Sequence, residues 1–270
     1  MEGDDEKAGQ IEGDQAITAT ATVGIHATAS FVHTRRLYFS QTHMKSAAFQ
    51  ARRALTSEQD PFHAEDITLT EYTACVIGAI LAATAAIDAA VSEVFVTARE
   101  KDERERSPID RDLAVLWRVL EGSKMREKVR VALECVGKGL KDMRSWKNTD
   151  DLIKLRNLLT HYTGGSVVVE SDIAGVPVAG PSELEKALRS KGIRRTYLDG
   201  RPTFPFTYLS GSCAAWAVAS SREFIDEFCV SMRHESPFEL VENYENQAGR
   251  PSPFIVVSPS RMQQQGGHDG

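Results

Sequence analysis

Between Glu71 and Asp88 the chain runs for sixteen residues without a charge, most of them Ala, Ile, Val and Leu, and the helical pattern continues to about Glu100. A helix that is apolar on nearly every side is stable in water only when other elements surround it. This segment therefore predicts a central buried helix and a mainly α fold built around it. Thr84, Asp88 and Ser92 stand at i, i+4 and i+8, so they form one polar line along that helix. The hydroxyls can bond their own helix carbonyls. Asp88 cannot, and an unpaired buried charge costs several kcal/mol, so it predicts a cation or a donor facing it.

The other elements follow from punctuation and period. Ile17–Val23 alternates like a weak strand. From Ala27 to Leu55 there is neither Gly nor Pro, which reads as one long helix, followed by a loop over Thr56–Asp66. Ser107-Pro108-x-Asp110 opens another helix, with a hydroxyl at the cap, Pro at the first position and an acid at the third. That pattern is interrupted near Gly122 and runs to about Leu140. Ser166–Glu170 and Val176–Val178 suggest a small β-hairpin. Ser182-x-x-Glu185 is a capping box for a short helix ending at Gly192, and Ser210–Met232 is the last helix. Residues 1–15, Gly- and acid-rich, are expected to be a disordered tail. Residues 16–246 are expected to form one helical domain, and 247–270 a second tail with at most a short strand at Phe254–Val257.

Composition narrows the function classes. With 41% hydrophobic residues in 270, a sizeable core is available. The net charge of -6 comes almost entirely from residues 1–14, where six acids face Lys7 alone. The remaining body neither demands nor excludes a polyanionic partner. Residues 121–147 are the most basic stretch, with eight Lys or Arg (among them Lys128, Arg144 and Lys147) against four acids. Such a run is either a solvated helix face or a track for phosphates. Aromatic residues make up 7%, too few for a base-stacking platform. Cys75, Cys135, Cys213 and Cys229 sit singly among apolar residues and read as reduced core thiols of a cytoplasmic protein. No Cys or His cluster has metal-ligand spacing, so no metal and no cofactor are expected. Neither a secretory signal nor a membrane span is expected.

The chemistry-bearing segment begins at Thr149-Asp150-Asp151, read as a capped helix start, and ends at Gly164-Gly165. Leu152, Leu155, Leu158, Leu159 and Tyr162 supply its apolar stripe, and Arg156, Asn157 and His161 are left off it. Asn157 and His161 share a face. Arg156 and His161 are five residues apart, roughly 140° around the axis, so one regular helix cannot aim both at one small target. The helix must loosen near its end, or a second copy must contribute.

Arg156-Asn157-Leu158-Leu159-Thr160-His161 resembles the Arg-x4-6-His motif of the HEPN superfamily, including the Asn that commonly follows the Arg. Asp88-Ala-Ala-Val-Ser-Glu93 resembles the acidic, small-residue helix that precedes the motif in prokaryotic standalone members, and Leu209–Phe228 resembles their closing helix. The resemblance covers about residues 27–235. It implies an up-and-down helical bundle with the hairpin as an insertion and the last helix as a packing helix. It also implies metal-independent endoribonuclease chemistry in a homodimer, in a defence or toxin setting where an antitoxin protein would be a partner. In that reading Arg156 stabilises the phosphate, His161 is the acid/base and Asn157 holds one of them in place. Asp88 and Glu93 orient the Arg or a neighbouring cation, and Lys154, Lys147 and Arg144 contact the RNA backbone. The competing expectation is a non-catalytic binding or interaction bundle, with Arg156 buried against Asp88.

Overall fold

The computed structural model describes residues 19–23, 27–31, 38–59, 69–161, 182–193, 204–238, 252–254 and 256. The chain divides into two compact units, residues 1–37 and 38–270. In the first, strands β1 (Ala19–Val23) and β2 (Ala27–Phe31) pair antiparallel, with Ala19 opposite Phe31 and Val23 opposite Ala27. The start of the long helix expected from Ala27 is thus corrected. Residues 19–31 alternate Ala with Thr or Ser on both sides of Gly24, a period of two that favours a hairpin over a helix. The expected hairpin at 166–178 and the acidic tail lie outside the described residues.

The second unit is a helical bundle. Helices α1 (Phe39–Gln59), α2 (Leu69–Glu100) and α7 (Gly211–Ser231) pack on one another. Helices α3 (Pro108–Leu120), α4 (Met125–Cys135) and α5 (Trp146–Thr160) lie on α2, and α6 (Glu183–Ser190) lies on α5. Small side chains let α1 and α2 approach closely: Ala47, Ala48, Ala51 and Ala54 on α1, and Ala79, Ala83, Ala86 and Ala90 on α2, are all buried. Larger residues fill the rest. Phe95 of α2 stacks on Trp117 of α3 with ring centroids 5.7 Å apart, and Phe224 of α7 stacks on Phe228 at 5.8 Å. By length and composition α2 qualifies as a bilayer-spanning helix, and half of that apolar window is buried inside the protein. The helix packs against α1, α3, α4, α5 and α7. Phe254, in the stretch expected to be a tail, occupies a turn rather than a strand and is buried against Phe238 at 4.8 Å.

Helix starts are held in two ways. At α3 and α6 the cap is local. Ser107 and Asp110 form a reciprocal box, and the Ser182 hydroxyl accepts from the Glu185 N–H at 3.1 Å. At α1 and α5 an acid from another helix accepts N–H groups at the start, and α7 combines both devices, the Ser210 hydroxyl accepting from the Cys213 N–H at 3.2 Å. Glu93 takes the Ser40 N–H at 3.0 Å, Glu227 takes those of Arg144 and Ser145 at 2.9 Å, and Glu58 takes that of Gly211 at 2.8 Å. This arrangement moves the start of α5 back to Trp146, so Thr149 is not a cap. Thr149 is buried, and its hydroxyl bonds the Ser145 carbonyl at 3.0 Å.

Gly211 marks the closest of these approaches. A Cβ there would lie 2.9 Å from Glu58 Oε2 and 3.0 and 3.1 Å from the backbone N and Cα of Leu55. Backbone cannot retreat as a side chain can, so Gly211→Ala is expected to cost about 1–3 kcal/mol. Gly122→Ala, which meets nothing within 4 Å, serves as the near-neutral control. Urea unfolding of the two variants checks the contrast.

Two of these carboxylates set the acid limit of stability. Burial alone pushes Asp110 up. The Ser107 hydroxyl, Lys101 and the Ser107 N–H outweigh it and hold the carboxyl below the ordinary range. Glu227 is balanced the same way, with burial raising it and the Ser145 hydroxyl and the N–H groups of Ser145 and Arg144 lowering it further. Each folded value lies below the unfolded one, about 4. Their stabilisation is therefore present above about pH 4 and lost as pH falls through the folded values. Asp110→Asn and Glu227→Gln are expected to lower stability at neutral pH by about 1–2 kcal/mol each and to flatten the acid side of the unfolding profile.

Candidate functional site

Helix α5 is fixed on its inner side by Leu152 and Leu155, both fully buried. Asp151 anchors it to α6. Its carboxylate lies 3.0 Å from Lys191 Nζ, which also donates to Asn148 Oδ1 at 2.8 Å and sits over the Trp216 ring. Leu158 and Leu159 are only half-buried, and Tyr162 lies outside the described residues. The outer face is left to the candidate residues.

Arg156 is half-buried, and its Nη1 donates to Asn157 Oδ1 at 3.0 Å. The helix ends at Thr160, earlier than the glycines predict. The Thr160 hydroxyl donates to the Arg156 carbonyl at 3.0 Å, and the His161 N–H donates to the Asn157 carbonyl at 2.9 Å. His161 has φ −115° and ψ 28°, outside helical geometry. The separation of roughly 140° between Arg156 and His161 on a regular helix therefore no longer applies at the last residue. The His161 side chain is exposed, with no bonded partner among the described residues.

The supporting residues divide. Asp88 is exposed rather than buried, and the cation that faces it, Lys128 of α4, lies 3.9 Å away. Lys128 is buried, donates to Ser92 Oγ at 3.2 Å and lies over the Trp117 ring at 5.3 Å. Two members of the polar line on α2 thus converge on one lysine, while Thr84 bonds the carbonyls of Ile80 and Leu81. Glu93 accepts from the N–H and hydroxyl of Ser40 at the start of α1 and pairs with no arginine among the described residues. Neither acid is paired with Arg156 among the described residues.

Only part of the basic stretch is neutralised. Arg126 and Lys154 both reach Asp150, at 3.4 and 2.8 Å, and the Asp150 hydrogen bond raises the pKa of Lys154 above its ordinary value. Arg130 pairs with Glu127 and Glu134. Arg144 and Lys147 are exposed at the start of α5. Among the four cysteines, all free, Cys213 and Cys229 are buried and their thiols are pushed up to about 12, which makes them poor nucleophiles. Among the described residues no three His, Cys, Asp or Glu side chains gather as metal ligands.

One cluster escaped the sequence reading. Lys101, Asp110 and His234 meet beside a cavity of about 350 Å³, with Lys101 Nζ 3.0 Å and His234 Nε2 3.3 Å from the Asp110 carboxylate. These residues lie far apart in sequence, and only the Ser107–Asp110 cap was a local signal. The chain matches no protein-family model, no curated protein and no solved structure.

Proposed function

We propose that the protein is a HEPN-like, metal-independent endoribonuclease acting through Arg156, Asn157 and His161 at the exposed end of α5. One observation carries this reading. Arg156 makes no ion pair among the described residues and is braced by Asn157, next to an exposed His161.

The residue chemistry suits RNA. The 2′-hydroxyl attacks the adjacent phosphorus, its proton leaves to a base, and the departing 5′-oxygen takes up a proton. Two histidines of a symmetric pair, or one acting twice, serve both steps near neutral pH. The planar guanidinium of Arg156 matches two phosphate oxygens as charge grows on them. The bond formed is 2′-O–P and the bond broken is P–O5′, so the products carry a 2′,3′-cyclic phosphate and a 5′-hydroxyl. Arg144 and Lys147 would meet the flanking backbone, and Lys154 would do so once released from Asp150. A cytoplasmic homodimer, held in check by an antitoxin protein, is the setting proposed with this activity.

A second reading, a non-catalytic binding bundle, is favoured by the acids that already pair with Arg126, Arg130 and Lys154. End-mapping of RNA incubated with the protein in EDTA separates the two. Cyclic-phosphate ends support the nuclease, and intact RNA leaves the binding bundle.

A further inference from the structure

The cavity of about 350 Å³ lies where the start of α1, the last turns of α2 and the end of α7 meet, away from Arg156 and His161. Among its walls are Glu93 of α2 and Arg233 just beyond α7. Lys101 and His234 also face it, but both are committed to Asp110. Glu93 is half-buried and satisfied only by Ser40, with no counter-cation among the described residues. Arg233 is exposed and makes no ion pair among the described residues. Half-buried Glu93, exposed Glu235 and the Arg233 guanidinium thus line one cavity, and no ion pair joins them among the described residues.

The backbone at Arg233 makes its side chain harder to dismiss. Helix α7 closes with the His234 N–H on the Cys229 carbonyl at 2.9 Å and the Arg233 N–H on the Val230 carbonyl at 3.1 Å. This is the left-handed closing turn whose first residue beyond the cap is usually glycine. Here that residue is Arg233, at φ 56°. A side chain kept at a left-handed position is strained, and such strain collects at functional sites.

We propose that this cavity binds a small zwitterionic molecule, of the size of an apolar amino acid or dipeptide, with its carboxylate on Arg233 and its ammonium on Glu93. Ala90, Val94 and Pro237 supply apolar wall for the rest of the ligand, and the volume falls in the range of small-molecule sites. Each Glu93 oxygen, though bonded by Ser40, keeps a lone pair for the ammonium. The site uses no residue of the proposed nuclease and stands or falls separately.

The test is calorimetry and thermal melting with leucine, phenylalanine and leucyl-phenylalanine. N-acetyl-phenylalanine, which lacks the ammonium, and phenylalaninamide, which lacks the carboxylate, are the controls. At least one free zwitterion is expected to bind and raise the melting temperature, and each blocked form to bind roughly tenfold or more weakly. Arg233→Gly relieves the backbone, so the free protein should melt no lower than wild type yet lose the ligand response. Glu93→Gln, which retains an acceptor for Ser40, should lose it too. No binding by any zwitterion at millimolar concentration, equal binding of the blocked forms, or an undiminished response in Arg233→Gly overturns the proposal.

Discussion

His161→Ala is expected to lower RNA cleavage by roughly 10²–10⁴-fold, the usual contribution of a positioned acid/base, while leaving the unfolding midpoint in place. The two halves of that expectation have separate causes. The imidazole is exposed and bonds nothing among the described residues, so its removal opens no cavity and strands no partner. The loss of rate follows from the proposed proton transfers alone. Arg156→Ala should fall by about 10²–10³-fold, the scale of removing one charge-stabilising donor. Arg156→Lys should recover little, because an ammonium lacks the planar fork. Asn157→Ala should show a smaller defect, since it frees the guanidinium that Asn157 Oδ1 now holds at 3.0 Å. Cleavage rates with melting curves taken in parallel check all four.

The largest effect on stability is expected at the centre of the bundle. Phe95 is completely buried on α2 and stacks on Trp117 of α3. Phe95→Ala removes that ring from between two helices whose backbones cannot close the gap, at a cost of about 3–5 kcal/mol. At this chain length a kilocalorie shifts the melting temperature by roughly 2–4 °C, so the variant should melt well below wild type. Val119→Ala on α3 is the control, because Val119 is 79% exposed. Differential scanning calorimetry should show the two variants widely apart.

Local signals in the sequence were reliable where the structure is local. The uncharged run before Asp88 did become the central helix, and Ser107-Pro108-x-Asp110 and Ser182 did cap α3 and α6. Asp88 lies near a cation, Lys128, across 40 residues that no periodicity links, but it is exposed, so burial is not what brings the two together. The misplaced boundaries share a cause. The starts of α1 and α5 depend on Glu93 and Glu227, which arrive from other helices and leave no mark beside the residues they cap. Glu93 enters the candidate site only through the resemblance of Asp88-Ala-Ala-Val-Ser-Glu93 to an acidic helix, and its carboxylate bonds Ser40 at the start of α1. The break between β2 and α1 was hidden because residues 27–55 contain neither Gly nor Pro. His234 carries no local signal in the sequence. Only the closing turn of α7 brings it to Asp110.

The central claim is that Arg156 and His161 act on the same phosphodiester, within one subunit or across a two-fold axis. A double-mutant cycle on RNA cleavage tests it directly, with both single alanine variants and the double variant measured under identical conditions. Groups that stabilise one transition state are strongly non-additive, so the double variant is expected to cleave about as slowly as the slower single. Losses that multiply would place the two side chains on separate tasks and contradict the account. Cleavage undiminished in all three variants would remove α5 from the chemistry altogether.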